Sequence, residues 1–510
     1  MINSYSITVT GMTDLGGGNY SGEVFTFTSM LLLIGGTIGG LIMGATPGLS
    51  PTMTVALLIP FTFNMTPVHG LILLGAAYTS TVAGGAVSAI LLKIPGAPAN
   101  IATTLDGNAM ARKGEGAKAL QLSFISSLIG GIFGVFLLIF LTPVLAKMAN
   151  SFGYSHTFWL AIIGVTVIGS LEAGSVVKGL LSGCIGMWLA TIGFDDIQGV
   201  KRFVFHPAIA GGVNIIPALI GLFAIPQVIT MFAKGRFQND VEQIQVKKHP
   251  IAKAFQEVFS RKRALIIGTS IGSLIGLIPG VGGQIAGLLA YDQAKKFSPE
   301  KKKFGTGHSE GVIAAESANN AMVGPSLVPL LTLSIPGSPT AAVLLGGLII
   351  HGIFPGPTLF QQYPEVIWPF INSMLIGQIL MCIFGIYIAS LAARVAQVPQ
   401  FIMAAIVLGL AAFGSFAVQQ SMGDVYVMVV LGTMMYFLER FGFSAAPLVL
   451  GLILGPIAES NFVTGSLIST AQNGPFVYFF TGGLNILLVS IVILSVGFSI
   501  WSEINTKRQS

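Results

Sequence analysis

Four Pro-Gly pairs sit inside apolar runs of this chain, each flanked by hydroxyl or amide side chains that could hold a ligand. The first is Thr46-Pro47-Gly48, followed by Ser50. The second is Pro95-Gly96, with Thr79, Ser80 and Thr81 upstream and Asn100 just beyond. The third, Pro279-Gly280, runs into Gly282, Gly283 and Gln284. The fourth, Pro336-Gly337, continues into Ser338 and Thr340, and Ser317, Asn319 and Asn320 precede it. Proline removes a helix donor and glycine releases the backbone, so a straight helix is not expected through any of them. In hydrocarbon, unpaired backbone groups cost several kcal/mol each, so broken helices persist only where protein, water or ligand satisfies them. Half-helix N-termini offer N–H donors and partial positive charge, which suit a carboxylate. Backbone carbonyls at the opposite ends suit a dehydrated cation such as Na+. One Pro-Gly pair alone reads as a packing kink, and one lone hydroxyl as a side chain bonded back to its own turn. Four pairs in matched order turn the set into a candidate site for a substrate and a cation.

Ionisable residues near these segments are few. Glu316 lies seven residues into the span that starts near 309, where an intramembrane carboxylate is a functional candidate by default. Lys93 abuts the second break and is expected to snorkel toward the interface. Glu172, Lys178 and Asp424 are expected in loops, and His308 and His351 at solvated segment ends.

The elements that must position these residues follow from composition. The 510 residues are 53% hydrophobic and 9% charged, against roughly 25% charged in a soluble domain. Apolar runs fill most of the length and leave room for about ten to twelve crossings at ~20 residues each. They are too long for strand-sized segments, so the fold class is an all-α polytopic membrane protein. The net charge of +6 reports loops, not a nucleic-acid partner. Cys184 and Cys382 lie in apolar runs and read as buried thiols. Residues 1–22 hold no Lys or Arg and no compact apolar core of a signal peptide.

Basic residues set the orientation. None precedes Lys93, so a tail over 1–23 is expected outside. Residues 24–66, broken at Pro47, read as a hairpin returning to the side it entered. Residues 68–111 read as one crossing, broken at Pro95. Spans near 119–146, 157–171, 175–194 and 207–233 complete a first unit, 24–233. The linker 234–263 and the loop 292–308 hold more than half of the 25 basic residues and are expected inside. The segment between them, 264–291, then reads as a second hairpin, entered from the opposite side. Residues 309–352 form a second broken crossing, followed by spans near 366–393, 400–417, 423–438, 443–458 and 476–500. A cytoplasmic tail over 501–510 carries Lys507 and Arg508. Hairpin, broken helix and a group of spans thus occur twice, the second time upside down: an inverted-topology repeat, as in many secondary transporters. Lys201 and Arg202 fall outside in this arrangement, offset by Asp195 and Asp196, which makes that loop its weakest joint.

Other classes fit less well. An intramembrane aspartyl protease would need Gly-x-Gly-Asp, but Ser421 stands before Met422-Gly423-Asp424, and Asp292 opens a lysine-rich loop. There is no Walker-type lysine loop and no His/Cys cluster for metal catalysis. A passive channel would not require two inverted, broken halves, although sequence leaves it open beside a stand-alone ion-coupled permease for organic anions.

At its motifs the chain resembles the large membrane subunit of the tripartite tricarboxylate transporters, the TctA family. Matching stretches are Gly-Ala-Thr-Pro-Gly-Leu (44–49), Ala-Ile-Leu-Leu-Lys-Ile-Pro-Gly-Ala-Pro-Ala (89–99), Thr-Leu-Asp-Gly (104–107), Ile-Pro-Gly-Val-Gly (278–282), Glu-Ser-Ala-Asn-Asn-Ala (316–321) and Leu-Ser-Ile-Pro-Gly-Ser (333–338). His351-Gly-Ile-Phe-Pro-Gly-Pro and the run 448–456 extend the resemblance, which covers about 25–500. Lys93 departs from it, since a neutral residue usually precedes the first Ile-Pro-Gly. The resemblance implies a bacterial inner-membrane protein, not an enzyme, that works without a bound cofactor. It further implies a small TctB-like membrane subunit and a periplasmic TctC-like binding protein that delivers a di- or tricarboxylate. Import would be driven by Na+ or H+, with alternating access of an elevator-like kind expected if hairpins and breaks move together.

Overall fold

The computed structural model describes residues 21–149, 152–172, 175–194, 199–206, 209–233, 249–278, 282–395, 398–472, 474 and 476–509. Its first part comprises α1 (Phe27–Ala45), α2 (Pro51–Thr62), α3 (Pro67–Leu92), α4 (Ile101–Met110), α5 (Gly116–Ala149), α6 (Tyr154–Glu172), α7 (Val176–Ala190) and α8 (Ile215–Ala233). An amphipathic helix, α9 (Ile251–Ser260), follows. The second part holds α10 (Lys262–Leu277), α11 (Gly282–Phe297), α12 (Ser309–Ala321), α13 (Val323–Leu333), α14 (Pro339–Ile350), α15 (Leu359–Gln362) and α16 (Pro364–Val395). It ends with α17 (Gln400–Gln419), α18 (Met422–Arg440), α19 (Ala445–Gln472), α20 (Val477–Phe480) and α21 (Gly483–Gln509). Among the described residues, eight helices are long and apolar enough to cross a membrane, and five shorter apolar helices accompany them. The architecture is an all-α polytopic membrane protein; the two-residue strands β1 (Gly193–Phe194) and β2 (Lys201–Arg202) form a minor hairpin.

Two helix starts near a break have matching local causes. Ser50 caps α2 by accepting the Met53 N–H at 3.2 Å, with Pro51 in the first turn. Ser338 caps α14 through the Ala341 N–H at 3.1 Å, with Pro339 in the same role. Helix α3 stops at Lys93 and α13 at Ser334, both left-handed, at φ 58° and 60°.

Small residues set how these segments lie. Gly36, Gly40 and Gly44 of α1 face Leu73, Ala77 and Thr81 of α3 in that order, so α1 runs alongside α3 in the same sense. Thr62 ends α2 close to Gly70, near the start of α3, so α2 returns in the opposite sense. The second part repeats this. Gly268, Gly272 and Gly276 of α10 face Ala314, Ala318 and Met322 in order, while Gly283 and Gly287 of α11 approach Asn319 and then Ala315. A constant offset carries Gly85, Lys93 and Gly96 onto Ser326, Ser334 and Gly337. The Gly96 N–H donates to Gly85 O at 3.4 Å and the Gly337 N–H to Ser326 O at 3.0 Å. A methyl group at Gly96 would lie 2.7 Å from the Gly85 Cα, and one at Gly337 2.7 Å from the Ser326 Cα. No side chain fits at either junction.

The outer helices exchange partners. Helix α19 packs on α6 and α7, and α8 on α17 and α18. Gly451 meets the backbone of Gly183, and Gly432 that of Gly221, at these crossings.

Several expectations need correction. Lys178 and Asp424 lie in helices, not loops, and Asp424 is buried. Glu172 is the last residue of α6. Asp292 lies within α11, which continues past Tyr291 to Phe297, and does not open a loop. His308 is buried beside Glu300 and Glu310, at 3.5 and 3.7 Å. His351 packs its ring nitrogen 3.1 Å from the Thr62 hydroxyl. Cys184 is exposed, whereas Cys382 is buried. Helix α19 runs to Gln472, well past the end expected near 458. The exposed-loop strain at Arg202 has a structural answer: its guanidinium makes a two-point pair with Glu459 of α19, at 2.5 and 3.2 Å. Asp195 and Asp196 lie outside the described residues.

Candidate functional site

Two buried polar clusters form where the broken segments meet. The first is made of hydroxyls. Tyr78, on α3, places its hydroxyl 2.9 Å from Ser338 Oγ at the start of α14 and 3.3 Å from Ser326 Oγ on α13. Thr52 in the first turn of α2 meets Thr340 in the first turn of α14, hydroxyl to hydroxyl, at 3.0 Å. Two helix N-termini, one from each part of the chain, are thereby held side by side. Their free N–H groups and dipoles favour an anion, and hydroxyls that donate or accept by rotation can follow what binds.

The second cluster surrounds Glu316 on α12, which is fully buried. Thr103 donates its hydroxyl to Glu316 Oε1 in a short hydrogen bond, and Asn100 Nδ2 donates to the same oxygen at 3.3 Å. Ser127 of α5 donates to Oε2 at 3.3 Å, and Asn320 Nδ2 donates to Ser127 Oγ at 2.7 Å. Among the described residues, every salt bridge lies elsewhere. Around the cluster, polar atoms are left over: Asn100 Oδ1, Asn320 Oδ1 and both amide atoms of Asn319 have no hydrogen-bond partner. All three residues are fully buried. A buried polar group without a partner costs about 1–3 kcal/mol, so such a concentration makes this cluster a candidate site.

The remaining sequence candidates divide clearly. Thr46 bonds back to Ile42 O at 2.9 Å, Thr79 to Gly75 O at 2.9 Å, Thr81 to Ala77 O at 2.6 Å and Ser317 to Ala314 O at 3.3 Å. These hydroxyls serve their own helices. Pro47 is buried at the first break, and Gly48 turns the chain there with φ +91°. Pro95, Gly96, Pro336 and Gly337 build the two junctions behind the helix restarts. Gly282 opens α11 at φ +66°, and Gly283 lets Asn319 and Ala99 come close. Pro279 and Gly280 lie outside the described residues, as does the Gln284 side chain. Lys93 is exposed and does not enter either cluster.

Sequence reading missed Tyr78, Thr52, Ser326, Thr103 and Ser127 as partners. A signal existed for two of them. A tyrosine hydroxyl inside an apolar helix needs a partner, and Ser123, Ser126 and Ser127 crowd one stretch of α5.

A carboxylate at the lysine-rich end ties the two parts together. Asp106 Oδ1 accepts the N–H groups of Gly305, Gly307 and His308 at 2.8–2.9 Å, and Oδ2 accepts the Tyr291 hydroxyl at 2.9 Å. Gly305 and Gly307, at φ +84° and +98°, let the loop wrap that carboxylate. Nearby, Arg261 bridges Glu300 and Glu310 at 3.0 and 3.1 Å. Hydrogen bonding from Lys303, then Arg261, holds the Glu300 carboxyl below its ordinary range.

With this geometry in view, the comparisons are decisive for family. Residues 30–450 match the tripartite tricarboxylate transporter TctA family. The chain belongs to the TctA family. It is similar, at 34% identity over 475 residues, to an uncharacterized 52.8 kDa protein in the TAR-I ttuC' 3' region of Agrobacterium vitis, with 93% of each chain covered. A second uncharacterized protein, from the TAR-II ttuC' 3' region of the same organism, is 34% identical over 237 residues. That alignment covers 46% of this chain and 97% of the relative. As a TctA protein the chain is a subunit of a tricarboxylate transporter, and the resemblance expected from its motifs holds.

Proposed function

We propose that this TctA subunit is the translocation pathway of a binding-protein-dependent secondary transporter that imports di- or tricarboxylates with Na+ or H+. The observation that carries the reading is the pairing of Thr52 and Thr340 at 3.0 Å, which sets the starts of α2 and α14 side by side. A substrate carboxylate binds there, against helix N-termini and the hydroxyls of Ser50, Ser338 and Tyr78. The Asn100, Asn319 and Asn320 amides line the side nearer Glu316. The coupling cation compensates the charge of the substrate. The two parts form an inverted-topology repeat; the recurring glycine contacts and paired junctions support it. Hairpins and broken helices move as one body against the outer helices, in an elevator-like cycle. The chain spans the bacterial inner membrane with its N-terminus periplasmic and its C-terminus cytoplasmic. It works with a TctB-like small subunit and a TctC-like binding protein.

The test is uptake of radiolabelled citrate, malate and succinate into proteoliposomes holding both membrane subunits, with the binding protein supplied outside. Uptake above equilibrium that collapses when the Na+ and H+ gradients are abolished is the expected result. Uptake indifferent to both gradients overturns coupled transport.

A further inference from the structure

We propose that Glu316 is the proton-carrying residue of the cycle, taking up the coupling proton from one side of the membrane and releasing it on the other. The inference rests on the transport reading above and assigns its coupling ion to one side chain.

Glu316 is fully buried on α12, one turn before Asn319 and Asn320. Its partners are two hydroxyls, Thr103 and Ser127, and one amide, Asn100. A hydroxyl both donates and accepts by rotating about one bond. The ionised carboxylate is therefore served by three donors, and the neutral acid can turn its own O–H onto Ser127 Oγ or Thr103 Oγ1. Neither state needs the backbone to move. A cation with a full set of oxygen ligands would need space, whereas Thr103, Asn100 and Ser127 already close on both carboxylate oxygens.

Every charged or titratable group on the elements packed against α12 is committed elsewhere or lies at an end. Asp106 of α4 and Tyr291 of α11 bond to each other. Tyr78 of α3 serves Ser326 and Ser338, and His69 stands at the start of the same helix. Lys118 of α5 pairs with Glu257, Arg263 of α10 donates to Phe297 O, and Glu310 of α12 pairs with Arg261. Lys147, Lys262, Asp292, Lys295 and Lys296 are exposed. An ionised Glu316 thus faces neutral groups on all sides, which is expensive at membrane depth. Occlusion of the loaded site favours the acid, COO− plus H+ giving COOH. Opening toward the lower proton concentration lets that proton leave as H+.

The location links the proton to substrate. Asn100 touches Glu316 from the restart of the first broken helix, while its Oδ1 stays free. Substrate contact with that amide alters the donor to Glu316, so loading and protonation are coupled through one side chain.

The experiment uses proteoliposomes of the full complex, a lumenal pH dye and two transport modes with citrate as probe. For wild type, an inward proton gradient without Na+ drives accumulation, and the lumen acidifies with citrate entry. Glu316→Gln, a mimic of the neutral acid, loses gradient-driven accumulation and citrate-linked acidification but keeps citrate counterflow. Glu316→Asp restores accumulation in part. Wild-type accumulation driven by Na+ alone, with no acidification, overturns the proton assignment while leaving transport intact. Gradient-driven accumulation by Glu316→Gln, or loss of counterflow in a variant that melts like wild type, also overturns it. Should wild type carry no citrate in either mode while malate and succinate also fail, the transport reading falls with it.

Discussion

The restart of α14 at Ser338 and the restart of α4 behind Asn100 occupy matching places in the two parts of the chain, yet different side chains meet them. Tyr78 of α3 reaches the first; Glu316 of α12 reaches the second. Around Ser338 every side-chain partner is a hydroxyl, and the helix starts of α2 and α14 converge. Around Asn100 a buried carboxyl dominates, with amides left partly unpaired. A recurring backbone pattern thus carries different side chains at its two breaks, which is where the proposed anion site and the proposed proton site part. The difference teaches that the breaks alone do not say what each half handles; the residue facing each break does.

Breaking the comparison is easiest at Asn319. Its amide makes no hydrogen bond within the protein, so Asn319→Ala forfeits no hydrogen bond in the resting fold. Removing one or two ligand hydrogen bonds should cost about 2–3 kcal/mol, on the order of 100-fold in uptake, with the melting temperature unchanged or slightly raised. Uptake at the wild-type rate would remove Asn319 from the site. Asn320→Ala should cost less transport and some stability, since it also frees Ser127.

At the hydroxyl cluster, Tyr78→Phe deletes one oxygen that serves two serines. Roughly tenfold weaker apparent citrate affinity is expected, at about 1.4 kcal/mol, with the proton-to-citrate ratio unchanged. A changed ratio would blur the two regions. Thr52→Val should follow with a few-fold effect, on the order of 0.5–1.5 kcal/mol for one net hydrogen bond, read in the same affinity assay.

Asp106→Ala probes the tie between the parts rather than either cluster. Three backbone N–H groups and the Tyr291 hydroxyl lose their acceptor. A stability loss of about 3–5 kcal/mol is expected, seen as a lower melting temperature in detergent; an unchanged melting temperature would show that the loop rests on other contacts.

The smallest effect concerns pH. Glu300 is held below its ordinary range by Lys303 and Arg261. A carboxyl lowered in the fold adds stability above its unfolded pKa and loses it as pH falls through the folded value. Acidification into that window should loosen the 298–308 loop, measured by hydrogen exchange, and Glu300→Gln should flatten the response.

Much of this was legible in the sequence, for physical reasons. Pro47, Pro95 and Pro336 remove helix donors wherever they stand, so the breaks were readable one by one. Lysine-rich stretches bracketed the hairpin expected over 264–291, although α11 runs on through Lys295 and Lys296 to Phe297. What stayed hidden was every contact between distant segments. Nothing in the order of residues says that Thr52 meets Thr340, or that Thr103 and Ser127 close on Glu316. The hydroxyls at Thr46, Thr79, Thr81 and Ser317, candidates by their position, each donate to a carbonyl of their own helix. A serine inside an apolar helix carries the same letter in either role, and only the partner decides. Helical continuity through Lys178, Asp424 and Asp292 was also hidden, since isolated charges near helix ends read as loops until packing is known.

The division of labour is tested most directly by measuring citrate affinity and proton coupling together, in one proteoliposome preparation each of Tyr78→Phe and Glu316→Gln. The account predicts a double dissociation. Tyr78→Phe weakens citrate affinity and keeps the proton-to-citrate ratio, whereas Glu316→Gln abolishes gradient-driven accumulation and keeps counterflow. Both variants shifting the same parameter would contradict it.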